Sequence, residues 1–260
     1  MSLVLLKVKE KKEFEWIPLD EKWQRKLLSQ SFMQKDCKGD GNCQFRSIET
    51  ALTDAGYKTT HSRLRRLIAK YINKIPDKEF HEIIQNYIIE KESGEFRGGW
   101  DPMEVKNKKQ FIRVIKQTGF YFEGDNITLA LLSKAINVDF VILDDDYNVT
   151  DLSNPDELNP KVIILYYVKS GHYKTIGIKN KNGNVKTMFK REKLPKELDT
   201  IIDRYNFFVE HVKTAITTMP KATLNKILKE VQKQLQVDLS KEDKKLIMTI
   251  LKQIFDITKS

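Results

Sequence analysis

The sequence predicts an α/β (α+β) domain, a small central sheet flanked by helices, with a helical module after it. Three observations carry that reading. Apolar residues recur at helical spacing through much of 43–90, short β-rich runs crowd 138–189, and from about Pro195 onward only helical spacing remains. The 260 residues are 40% hydrophobic and 32% charged, enough apolar material for one sizeable core or a core with a small satellite. That composition excludes disorder and collagen-like repetition. Lys+Arg 46 against Asp+Glu 36 gives a formal charge of +10, which directs attention to nucleic acid before any motif is read.

Punctuation divides the chain into an N-terminal lead-in (1–34), a mixed body (35–190) and a C-terminal helical segment (196–260). The run Leu3-Val4-Leu5-Leu6 is too short for a signal-peptide core and meets Lys7 and Lys9 at once. In the body, the turn-forming run Lys38-Gly39-Asp40-Gly41-Asn42 precedes Phe45, Ile48, Ala51, Leu52 and Ala55 at helical spacing, so Cys43 opens a helix. Thr60 caps a second helix through Leu64, Leu67, Ile68, Tyr71 and Ile72, with Arg63, Arg65, Arg66 and Lys70 assigned to its polar arc. A third helix is expected over 80–90. After Gly98-Gly99, the pairs Phe111-Ile112 and Val114-Ile115 fit a short helix or a strand equally. Gly124-Asp125-Asn126 caps a helix that leads into the strand Val138 to Leu143. Val162 to Val168 is apolar enough for a central strand, yet far short of the roughly 20 apolar residues of a membrane helix. Strands His172 to Ile178 and Val185 to Phe189 follow, joined by an Asn182-Gly183 hairpin turn.

Cys37 and Cys43 are the only cysteines, so no disulfide framework is expected and a reducing location, cytoplasmic or nuclear, follows. No CxxC pair offers a zinc site. Cys43 stands where a thiolate is physically favoured, at the first turn of a helix with its unpaired N–H groups and positive dipole end. The glycines before it let backbone amides turn toward a developing oxyanion. By itself such a cysteine also fits an inert buried small residue. His172, after the Ser170-Gly171 break beside the most apolar strand, is the natural proton-transfer partner; His61, His81 and His211 lie on helical stretches.

These residues resemble a family. Asp40-Gly41-Asn42-Cys43-Gln44-Phe45-Arg46-Ser47-Ile48 is similar to the nucleophile motif of the ovarian-tumour (OTU) cysteine proteases, and His172-Tyr173 to their histidine motif. Thr60 to Ile72 and Phe122 to Leu132 resemble the intervening blocks, so the resemblance covers roughly Lys35 to Ile178. It implies a papain-type fold and a deubiquitinase, a thiol hydrolase in which Cys43 attacks the carbonyl after the C-terminal glycine of ubiquitin or a ubiquitin-like protein. His172 would serve as base and acid, and such an enzyme would need no metal or organic cofactor. Asp40 is counted with them, shaping the oxyanion hole together with Gly41, Asn42 and the Cys43 amide. Two departures stand out. Where many members carry Asp or Asn two residues after the histidine, this chain has Lys174, which only donates; Asp20, Asp36, a water or a backbone carbonyl would then orient the imidazole. Phe122-Glu123 replaces a tryptophan often found there.

From Tyr205 on, apolar spacing predicts three helices, and residues 223–241 loosely resemble the C-terminal helical domain of the chromatin protein DEK, which would imply contact with DNA or a protein partner. Two rival readings follow: a nucleic-acid- or chromatin-binding protein on an inactive OTU-like scaffold, and a viral polyprotein-type cysteine protease. No membrane association is expected.

Overall fold

The computed structural model describes residues 14–94, 96–154 and 157–202. The chain divides into two units, Met1–Glu197 and Leu198–Ser260. The three helices expected from Tyr205 on, and the DEK-like stretch among them, lie outside the described residues.

Chain order explains how the first unit assembles. Strand β1 (Trp16–Pro18), helix α1 (Glu21–Lys26) and strand β2 (Phe32–Lys35) come first. Asp20 caps α1 by accepting from the amides of Lys22 and Trp23 at 3.0 Å, which commits that carboxylate to the helix end. The segment read as a lead-in thus supplies two strands of the sheet. Runs of three and four residues are too short to show alternation in the sequence.

Helices α2 (Cys43–Asp54), α3 (His61–Lys74), α4 (Asp77–Ser93), α5 (Lys108–Ile115) and α6 (Asn126–Ile136) follow. The caps expected at Thr60 and Asp125 are in place, with Thr60 Oγ1 accepting from the Arg63 amide at 3.2 Å and Asp125 Oδ1 from the Thr128 amide at 2.7 Å. The ambiguous 111–115 run is helical; Asn107 caps it, and Phe111, Val114 and Ile115 are its buried face.

Strands β3 (Asp139–Asp144), β4 (Val149–Asp151), β5 (Lys161–Val168), β6 (His172–Lys179), β7 (Val185–Lys186) and β8 (Met188–Lys190) complete a sheet of order β1-β2-β6-β5-β3-β4, with β7 on β6 and β8 on β5. Only β3 and β5 run parallel among these pairs, as their continuous apolar runs suggest. The single strand expected over 185–189 is divided at Thr187, one half pairing with β6 and the other with β5. The core joins α2, through Phe45, Ile48 and Ala51, to Ile163, Leu165 and Tyr173 of the sheet. Trp100, Phe111, Phe122 and Tyr87 form an aromatic cluster beneath the helices, with Tyr87 and Trp100 centroids 5.1 Å apart. Fully burying each such ring contributes about 1.5–3 kcal/mol, enough to fix α4, α5 and the 119–122 turn as one platform. Among the described residues no helix is long and apolar enough to cross a membrane.

Candidate active site

Cys43 is the first residue of α2, and the loop before it is held from within. Gly41 has φ +74°, and a Cβ there would overlap the backbone of Gly119 and Phe120. Only glycine combines that conformation with so close an approach. Asn42 sits at the helix N-cap without making a side-chain cap bond, because its amide group is engaged elsewhere. Its Oδ1 accepts from Arg65 Nη2 at 2.7 Å and from the Gly119 amide at 3.2 Å, while its Nδ2 donates to Asp40. The Asn42 backbone amide donates to Asp40 Oδ1 at 3.2 Å. The N–H groups available to an oxyanion therefore begin at Cys43, since the first amides of a helix have no carbonyl within it to bind.

Asp40 was expected among the catalytic residues. Its carboxylate is gripped by Arg46 through Nε at 3.1 Å and Nη2 at 2.7 Å, a bidentate pair. Burial pushes this carboxyl up, but Arg46 and Asn42 outweigh it and hold it at about 2. Asp40 thus braces the loop, and the carboxylate that meets the histidine is a different one.

That carboxylate belongs to Asp36. The antiparallel register sets Lys35 of β2 opposite Thr175 of β6, so the next residue of the β2 strand arrives beside the start of β6. Asp36 Oδ1 lies 2.7 Å from His172 Nε2. Lys174, standing where an acid was missed, approaches Asp36 Oδ2 at 3.7 Å and adds positive charge on the carboxylate's other side. Of the two acids considered, Asp36 stands against the imidazole and Asp20 caps α1.

Buried hydrogen bonds seat the first turn of α2 against β6. Ser47 Oγ donates to the Tyr173 carbonyl at 3.0 Å, and Thr175 Oγ1 donates to the Ser47 carbonyl at 2.9 Å. Cys37 Sγ lies 3.4 Å from both the Cys43 and Tyr173 carbonyl oxygens, where its one S–H serves either. Cys43 Sγ is 3.8 Å from the Gly171 carbonyl oxygen, directly before His172. With Nε2 on Asp36, Nδ1 is the imidazole nitrogen left for the thiol side, and the Gly39 position faces it at ordinary contact distance.

Electrostatics favour a charged imidazole. His172 is pushed up to about 11, first by the neighbouring Cys37 sulfur, then by that of Cys43, against burial, with the bond to Asp36 adding to the rise. Burial also pushes Asp36 up, but the bonds from His172 and the Cys37 amide, with Lys174 nearby, hold it below the ordinary carboxylate value. An imidazolium beside the thiol is the arrangement that stabilises a thiolate nucleophile and stores the proton for a leaving group. Asp36, Cys37 and His172 offer metal-ligand atoms within 4.8 Å of one another. Asp36 is engaged by His172, and the Cys37 sulfur by the Cys43 and Tyr173 carbonyls.

The residue that sequence reasoning misplaced is Arg65. Grouped with a surface arc of basic side chains, it is 1% exposed in the structure. The signal was present: positions 65, 68 and 72 fall on one helical face, and Ile68 and Ile72 are both fully buried.

Comparison with known proteins assigns the chain to a family. Residues 38–173 match the family of OTU-like cysteine proteases. The chain is 27% identical over 159 residues to the putative ubiquitin thioesterase 232R of Invertebrate iridescent virus 3, covering 60% of this chain and 17% of that protein. It is 32% identical over 139 residues to the putative ubiquitin thioesterase L96 of Tipula iridescent virus, covering 52% and 15% respectively. A solved ovarian tumour (OTU) domain in complex with ubiquitin aligns over 65% of this chain and 78% of its own, at 17% identity and a TM-score of 0.42. The span from the nucleophile loop to His172-Tyr173 is more than half of the sequence, and on that match the chain belongs to the OTU-like cysteine protease family.

Proposed function

We propose that this chain is a ubiquitin thioesterase, a thiol hydrolase that cleaves isopeptide or peptide bonds after the C-terminal glycine of ubiquitin or a ubiquitin-like protein. The observation that carries the reading is Cys43 at the start of α2 beside a His172–Asp36 pair, within an OTU-family chain. The viral relatives that share the span are themselves named as ubiquitin thioesterases.

In this reading the Cys43 thiolate attacks the scissile carbonyl, forming an S–C bond while the carbonyl oxygen takes negative charge toward the Cys43 amide. His172 gives its proton to the departing amine as the C–N bond breaks, leaving a thioester. Neutral His172 then takes a proton from water as its oxygen adds to the thioester carbonyl; collapse breaks the C–S bond and releases the carboxylic acid, which gives its proton to solvent, and His172 is again protonated beside the thiolate. Asp36 holds the ring in register throughout and favours its charged form. The carboxylate–imidazole pair is fixed, and the thiol lies against the Gly171 carbonyl directly before that imidazole, so only modest side-chain motion separates the two half-reactions.

A ubiquitin probe bearing a C-terminal electrophile tests the reading. The wild type should become covalently labelled, and Cys43→Ala should not label while keeping its circular dichroism and melting temperature. A folded wild type that neither labels nor cleaves any linkage in a diubiquitin panel would end the ubiquitin assignment.

A further inference from the structure

We propose that Arg65 is a positioning residue for this hydrolase, holding the oxyanion loop of Cys43 in its working geometry through Asn42. The inference rests on the thiol-hydrolase reading and extends it to a residue two helices removed from the histidine.

Arg65 sits on the apolar face of α3 and is 1% exposed. A guanidinium in such a place costs several kcal/mol to desolvate, and a leucine or methionine would fill the volume without that cost. Burial lowers its pKa to about 10, with the charge of Asp40 opposing the fall. Its contacts show what it is used for. Nη1 donates to the Ile115 carbonyl at 3.2 Å, and Nη2 donates to the Phe122 carbonyl at 2.9 Å and to Asn42 Oδ1 at 2.7 Å. The planar group also lies over the Phe45 ring, its Cζ 4.1 Å from the centroid. Phe45 is two residues past the nucleophile and fully buried.

These acceptors come from three separate pieces of chain. Ile115 is the end of α5, where the helix dipole is negative; Phe122 closes the turn against which Gly41 packs; Asn42 precedes the nucleophile. Asn42 Oδ1 also receives the Gly119 amide, so one oxygen ties the nucleophile loop to the 119–122 turn and Arg65 locks the joint from beneath. Nε has no partner. The two Nη groups thus join the loop, through Asn42, to the carbonyls of Ile115 and Phe122 behind it. Because an oxyanion donor acts only if aimed within a few tenths of an ångström, the cation's geometry is transmitted to the Cys43 amide through Asn42. Lysine, a point charge without the fork, cannot hold the three acceptors together.

The test is Arg65→Lys and Asn42→Ala, singly and together, with melting temperatures recorded for each. Two substrates are used: a ubiquitin C-terminal coumarin amide, and p-nitrophenyl acetate, which needs no ubiquitin recognition. Each single variant should lower kcat about 100-fold with KM within about threefold. Iodoacetamide alkylation of Cys43, which forms no oxyanion, should keep its rate and pH profile. In the Asn42→Ala background, Arg65→Lys should lower kcat less than about twofold further. The proposal is overturned if Arg65→Lys retains wild-type kcat, if the two losses multiply in full, or if alkylation falls in step with kcat. Should Arg65→Lys fail to fold, Asn42→Ala alone reads the same bond, and wild-type kcat in it overturns the proposal. A wild type active on the ester but inert toward ubiquitin would end the ubiquitin reading while leaving Arg65 to be judged on the ester; inertness toward both overturns both.

Discussion

The two halves of the site are built by different means. The nucleophile loop, 38–43, is organised by neighbours in sequence: Asp40, Asn42 and Arg46 bind one another across a few residues, and Gly41 supplies the backbone conformation. The proton-transfer half is organised by pairing across the sheet, since Asp36 and His172 are 136 positions apart and meet only because β2 lies beside β6. A local loop can be tuned without disturbing the sheet, whereas the histidine's partner is fixed by register. Position 174 carries a lysine, and the carboxylate on the imidazole is Asp36, directly after the adjacent strand, with Lys174 Nζ 3.7 Å from its Oδ2.

Substitutions in the two halves should give different signatures. The largest effect is expected from Gly41→Ala, which places a Cβ against the backbone of Gly119 and Phe120 at a positive φ; kcat should fall about 100-fold or more, with a lowered melting temperature. Near-native activity and stability in that variant would mean the loop is softer than its contacts imply. Next comes Asp36→Ala, expected to cost about 10-fold to 100-fold in kcat/KM with the fold retained. Because the raised His172 pKa favours the folded state below its ordinary value and that contribution is lost as pH rises through about 11, removing an acceptor should move the imidazole midpoint downward. NMR titration of His172 reads this directly, and an unmoved midpoint would detach Asp36 from the pair.

The smallest effect should come from Asp40→Asn. The carboxyl is held at about 2 when folded against 3.8 ordinarily, so its contribution is complete above about pH 4 and is lost as pH falls through 2. The variant should melt about 2–5 °C below wild type at pH 7, and the gap should close as pH is lowered toward 2. Activity should drop only a few-fold, since Asp40 faces Arg46 and Asn42. A loss as large as that of Cys43→Ala would instead place Asp40 in the chemistry.

Much of this was legible in the chain. The α/β class, Cys43 at a helix start, the Thr60 and Asp125 caps, and β5 as a central strand follow from periodicity and cap chemistry, which are local properties. β1 and β2 were not legible, being too short to carry alternation, and with them went the choice of Asp36 over Asp20. Arg65 was misread because a basic residue on a basic-rich helix looks solvated unless its face is followed through Ile68 and Ile72.

The sequence by itself determined that Cys43 opens a helix behind a tight loop, because Gly-Asn-Cys before a helical period acts through torsions and amides within a few residues. Only the tertiary structure decided what completes the site. The acid for His172 depends on which strand lies next to β6, and the fixing of Asn42 depends on a guanidinium buried from another helix. Both are contacts between distant segments, and their geometry exists only once the sheet has formed and α3 has packed.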